Sequence, residues 1–148
     1  MNEERKKELG DITLLAIDDE LDQLKLYRLT LLRGSDTIYT STTCKEGRDM
    51  FLQDPSKYDV VVTDLNHVPV SGVDVAEAVI QSSPHTPCYI VTGGASGDLE
   101  QRAKDLASQS NPTQGNIVRY IEKPFRLKEL HQQLIEDLTY LKDNGFIK

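Results

Sequence analysis

The 148-residue chain carries 24 acidic against 17 basic side chains, a formal net charge of −7, which argues against independent binding to nucleic acid, whose phosphate backbone demands a basic face. With 38% hydrophobic and 28% charged residues, the composition is that of one soluble globular domain with an ordinary core. No run nears the roughly 18 apolar residues of a membrane span, and the charged start Met1-Asn2-Glu3-Glu4-Arg5-Lys6-Lys7-Glu8 is no signal peptide, so no membrane partner and a cytoplasmic setting are expected.

Residues 1–10 are charged and poor in apolar side chains, and are expected to be a tail or a solvated helical turn. The run Ile12 to Ile17 reads as a first strand ending in Asp18-Asp19. Leu21, Leu24, Tyr27, Leu31 and Leu32 then recur at helical spacing, and Gly34 suits the end of that helix. Asp36 to Thr42 reads as a second, β-branched strand. Thr43-Cys44-Lys45-Glu46 has the form of a capping box opening a helix that stops near Asp54-Pro55. A third strand, Asp59 to Thr63, runs into Asp64. The next helix starts at about Gly72, carries Val73, Ala76, Val79 and Ile80 inward, and is broken by Ser83-Pro84. A fourth strand, Cys88 to Thr92, meets Gly93-Gly94 and a helix around Asp98 to Ala107, then a polar loop from Ser108 to Asn116. The fifth strand ends at Glu122, beside Lys123-Pro124. In the last helix, Leu127, Leu130, Leu134, Leu138 and Leu141 form one stripe, with Asn144-Gly145 as its cap. Strands alternating with helices imply a doubly wound parallel sheet covered on both faces: a (βα)5 domain over residues 11–143 with a short tail at 144–148, no internal repeat and no second domain. Cys44 and Cys88 lack metal-ligand spacing and are expected to be reduced structural thiols.

The carboxyl ends of the strands in such a sheet lie along one edge, where ligands bind. Asp18, Asp19, Asp64, Thr92 and Lys123 then converge there, offering three carboxylates, a hydroxyl and an ammonium to a divalent cation and a phosphoryl group. Each residue also has an ordinary structural reading. An Asp after a strand is often a helix cap or turn former, Lys123 could be a solvated lysine, and Thr92 and Tyr120 could simply pack. The clustering favours the functional reading, since two carboxylates ~4 Å apart repel by ~4 kcal/mol at an effective dielectric near 20. His67, His85 and His131 are scattered. His67 lies near Asp64 in sequence but reads as a surface-loop residue rather than a ligand.

From about Ile12 to Tyr140 the chain resembles the receiver domain of two-component response regulators. The resemblance is carried by Asp18-Asp19 after the first strand, Asp64 after the third, Thr92-Gly93 after the fourth, and Tyr120 followed by Lys123-Pro124-Phe125. It implies the flavodoxin-like strand order 2-1-3-4-5. It further implies Mg2+ or Mn2+ held by Asp18, Asp19, Asp64 and the backbone carbonyl of Asn66, and a phosphoryl group accepted by Asp64 from a histidine kinase or histidine phosphotransfer protein. Lys123 would neutralise the transferred oxygens, and Thr92 and Tyr120 would couple the site to a signalling surface. The chain would then be a signalling domain rather than an enzyme, limited to self-phosphorylation and autodephosphorylation. A homodimer through the face from the fourth helix to the fifth is a further implication. The chain departs from the family pattern where Val68 holds a usual proline position with Pro69 after it, and where the Ser108 to Asn116 segment lengthens the path to Lys123. Two other classes share parts of the pattern. A small haloacid-dehalogenase-like phosphatase uses an aspartyl nucleophile but favours Asp-x-Asp after the first strand. A flavodoxin-type flavin carrier needs a phosphate-cradling first loop, which Asp18-Asp19-Glu20 would repel.

Overall fold

In a computed structural model of the protein, residues 9–31, 33–94 and 97–148 are described. The charged segment 1–8 and Leu32, both read above, lie outside them. Strands β1 (Thr13–Ile17), β2 (Thr37–Ser41), β3 (Val60–Asp64), β4 (Cys88–Thr92) and β5 (Val118–Glu122) pair in parallel in the order β2-β1-β3-β4-β5. Helices α1 (Leu21–Leu31), α2 (Cys44–Gln53), α3 (Gly72–Ser82), α4 (Gly97–Gln109) and α5 (Leu127–Asp143) provide the crossovers. This is the expected flavodoxin-like order. The chain reverses direction across the sheet between β1 and β3, so a crevice opens at their carboxyl ends, where Asp18 and Asp64 lie.

The strands are apolar on both faces because both faces are covered. Leu14, Ala16, Val60, Val62, Tyr89 and Val91 pack with Leu24, Tyr27 and Leu31 of α1 and Leu130, Leu134 and Leu138 of α5. Leu15, Ile17, Val61, Cys88 and Ile90 point the other way, onto Phe51 of α2, Val73, Ala76 and Val79 of α3 and Ala103 of α4. The period-2 alternation of each strand thus feeds two cores at once. Both cysteines are free and buried, as expected, and burial pushes each thiol up to about 12.

Several boundaries differ from the sequence reading, for identifiable reasons. Asp36 and Asp59 precede their strands instead of starting them, because their carboxylates accept from backbone amides of the neighbouring strand: Ile12 N–H at 2.8 Å and Thr13 N–H at 2.7 Å. Leu21 opens α1 on its solvent side and is 62% exposed. The segment read as a polar loop is mostly wound. Helix α4 runs on to Gln109, a 3-10 turn occupies Pro112–Gln114, and Gly115 closes it at φ +81°. A Cβ on Gly115 would fall 2.5 Å from His85 Nδ1. Thr43 caps α2 by accepting from Glu46 N–H at 3.1 Å, and α3 has a reciprocal capping box between Ser71 and Asp74.

The start of α3 fixes the end of β3. Gly72 N–H donates to Leu65 O at 3.1 Å, and a Cβ on Gly72 would lie 2.4 Å from Asp64 O and 2.9 Å from Leu65 Cα. Only glycine lets the two backbones meet. Gly72→Ala should therefore destabilise the domain by about 1–3 kcal/mol through overpacking, read as a lower midpoint in urea. Gly93→Ala, whose Cβ would meet only Lys123 Cδ at 3.7 Å, should stay within about 1 kcal/mol of the parent.

Candidate functional site

Asp18 leaves β1 with its amide still donating to the neighbouring strand, at 3.0 Å from Ser41 O. That continuation keeps its carboxylate at the sheet edge and 1% exposed. Oδ1 accepts from Glu20 N–H at 2.9 Å. Among the described residues Oδ2 is buried without a hydrogen-bond partner, and it faces Lys123 Nζ across 3.6 Å. Burial raises the Asp18 carboxyl above its ordinary range. The charge of Asp64 adds to that rise, while the Glu20 amide and Lys123 oppose it. The same two carboxylates, after burial itself, push the Tyr27 phenol beneath them upward.

Asp64 ends β3 with Oδ1 accepting from Leu65 N–H at 2.9 Å, and Oδ2 3.3 Å from His67 Nε2. Asp19 is exposed beside it. The ligand atoms of Asp19, Asp64 and His67 lie within 4.8 Å of one another, as do those of Asp18, Asp19 and Glu20. Asp19 is therefore shared by two overlapping groups. A hard, oxygen-rich donor set with one buried, unpartnered carboxylate oxygen fits a divalent cation such as Mg2+.

His67 is a correction to the sequence reading. A tight turn, with His67 N–H donating to Leu65 O at 3.1 Å, folds the ring back onto Asp64, where its side chain is 9% exposed. Its Nδ1 accepts from Cys44 N–H at 3.2 Å. The three-residue spacing from Asp64 was the available signal, but it carries meaning only once the loop path is known.

Thr92 is buried at the end of β4. Its Oγ1 accepts from Asn66 Nδ2 and from Gly94 N–H, each at 3.2 Å. A hydroxyl has two acceptor positions and one proton, so the remaining capacity of Thr92 is to donate. The Asn66 side chain, unforeseen from sequence, also donates to Gly94 O at 3.3 Å and so ties the loop after β3 to the loop after β4. Lys123 reaches the site because its amide donates to Thr92 O at 2.7 Å. Tyr120 pairs with Ile90 as Glu122 pairs with Thr92. Tyr120 and Thr92 thus share one sheet face, and the half-buried Tyr120 ring lies 5.6 Å from Lys104 Nζ of α4. Beside Tyr120, a groove of ≈ 540 Å³ runs between α4, β5 and α5, lined among others by Ala107, Val118, Phe125 and Glu129.

The sequence profile of the response regulator receiver domain matches residues 14–135. The chain is 28% identical over 117 residues to the cell cycle transcriptional regulator CtrA of Caulobacter vibrioides, covering 79% of this chain and 46% of that protein. It is 31% identical over 89 residues to the response regulator protein PilR of Pseudomonas aeruginosa, covering 60% of this chain and 20% of that protein. The chain thus spans about half the length, or less, of these curated relatives. A response regulator receiver domain protein from Clostridium thermocellum superposes with a TM-score of 0.68 at 26% identity, over 89% of this chain and 97% of that one. A CheY-like receiver domain protein from Methanospirillum hungatei shares the fold at a TM-score of 0.73 and 18% identity, over 92% of this chain and all of the other.

The buried, half-satisfied Asp18 leads to a stability prediction. Its raised carboxyl means that the fold prefers the protonated form, so stability falls as pH rises from the ordinary value through the raised one. Asp18→Asn should raise the melting temperature in chelator at neutral pH by about 2–4 °C, the effect of ~1 kcal/mol from relieving one unpartnered buried oxygen. The gain should fade on acidification, and Mg2+ should raise the melting temperature of the parent more than that of the variant.

Proposed function

The chain belongs to the response regulator receiver domain family, and we propose that Asp64 is its phosphoacceptor, fed by a histidine kinase or histidine phosphotransfer protein. The observation that carries this reading is the meeting of Asp64, the buried Asp18, Lys123 and Thr92 at the β1/β3 crevice. An Asp64 oxygen attacks the phosphorus of a phosphohistidine; the P–N bond breaks, an acyl phosphate forms, and the departing imidazole takes up a proton. Mg2+ or Mn2+, when held by Asp18, Asp19, Asp64 and the backbone carbonyl of Asn66, supplies positive charge against the clustered carboxylates and the transferred oxygens. Lys123 adds a second cation from the opposite strand end. Thr92 donates its hydroxyl proton to a phosphoryl oxygen, since both of its acceptor positions are already filled.

Signalling then runs through the face that Thr92 shares with Tyr120. Movement of Thr92 toward the phosphoryl group changes what the Tyr120 ring packs against and biases a two-state arrangement of β4, β5 and α4. The groove beside Tyr120 is the surface so altered, and a second copy of the chain docking on the α4-to-α5 face is one readout. In this reading the chain is a cytoplasmic signalling domain. The phosphatase alternative is not favoured, because the family match spans nearly the whole domain and Asp18 and Asp19 are adjacent instead of spaced by one residue.

Incubation with acetyl phosphate and Mg2+ tests the proposal by intact-mass spectrometry. One added phosphate is expected in the parent, and none in Asp64→Asn or in the parent with chelator. Labelling of Asp64→Asn at the parent's rate would contradict it.

A further inference from the structure

We infer that His67 is a positioning residue that stands over the Asp64 carboxylate and competes with the cation for one of its oxygens. The inference rests on Asp64 being the phosphoacceptor. Its basis is the geometry around the imidazole. Cys44 N–H belongs to the first turn of α2, where amides lack intrahelical acceptors. The Thr43 cap serves Glu46 N–H, and Cys44 N–H instead donates to His67 Nδ1 at 3.2 Å. A nitrogen that accepts must present its lone pair, so the ring proton sits on Nε2.

That N–H is buried, makes no hydrogen bond among the described residues, and faces Asp64 Oδ2 as a close polar neighbour at 3.3 Å. A nitrogen bearing a proton cannot coordinate a cation. His67 therefore does not act as a ligand with Asp19 and Asp64, although their atoms lie close together. It stands over Oδ2 without hydrogen-bonding it, while Leu65 N–H donates to Oδ1. A phosphoaccepting carboxylate needs one oxygen for phosphorus and the other for the cation. Among the described residues, no three-ligand group contains both Asp18 and Asp64. His67 thus stands at the Asp64 oxygen that the cation must reach.

Two conservative variants separate the two ring contacts in the full chain. His67→Asn keeps an acceptor within reach of Cys44 N–H and removes the N–H facing Asp64. His67→Gln keeps an N–H near Asp64. Calorimetric titration with Mg2+ alone should show binding about threefold tighter in His67→Asn, the effect of removing a buried N–H dipole that faces the carboxylate at 3.3 Å. His67→Gln should stay within about twofold of the parent. Unchanged affinity in His67→Asn, or an equal shift in both variants, overturns the inference. Weaker binding in His67→Asn overturns it too, by making His67 a ligand. In each of these outcomes Mg2+-dependent labelling of the parent still stands. If the parent itself binds no Mg2+ and takes up no phosphate, the phosphoacceptor reading falls and takes this inference with it.

Discussion

The structure turns on one buried carboxylate oxygen. Asp18 is carried into the sheet edge by a strand whose other residues are core, and among the described residues its Oδ2 meets no hydrogen-bond donor and faces the ammonium of Lys123 at 3.6 Å. A buried carboxylate with a second carboxylate nearby is a standing cost to folding, and Asp64 adds that second charge. Several neighbouring features act on the same excess of negative charge. The Leu65 and Glu20 amides each donate to one carboxylate oxygen. Lys123 is brought in by its own backbone bond to Thr92. A cation would complete what these donors leave unsatisfied.

The glycines and loops around the edge serve this arrangement. Gly72 lets α3 begin in contact with the Asp64 carbonyl, so the turn carrying Asn66 and His67 is pinned at both ends. Asn66 then spans to Thr92 and Gly94, joining the loops after β3 and β4 across the crevice. A change at Asp64 therefore bears on Thr92 through a hydrogen-bonded loop as well as through the sheet. Lower on the sheet, Asp137 accepts from Tyr89 Oη at 2.5 Å and from Arg119 at 2.7 Å twice, locking β4, β5 and α5 together.

Much of this was legible in the sequence, for physical reasons. Parallel strands buried on both faces must be continuous apolar runs, so Val60-Val61-Val62 and Leu14-Leu15-Ala16-Ile17 declare themselves. The residue that ends each run must then lie at one edge, and Asp18, Asp64, Thr92 and Lys123 could be placed together without knowing any contact. Strand starts were less legible, because whether Asp36 and Asp59 belong to a strand depends on which amides their carboxylates find across the sheet. The 108–116 segment looked like open loop from its turn formers, yet Gly115 and the Pro112–Gln114 turn wind it against His85. His67 and the Asn66 side chain were beyond reach. Their roles come from the path of one short loop, and neither periodicity nor residue type encodes that path. The same limit applies to Leu21, whose helical spacing is right but whose place at the helix start leaves it in solvent.

The most direct test of this reading is to trap the phosphorylated side chain itself. Reduction of an acyl phosphate by borohydride converts the aspartate to homoserine, which tandem mass spectrometry locates in the chain. After treatment with acetyl phosphate and Mg2+, the crevice chemistry described above predicts homoserine at position 64 and nowhere else, absent when chelator replaces Mg2+. Homoserine at position 18 or 19, or phosphate retained through reduction on a hydroxyl such as that of Thr92, would contradict it.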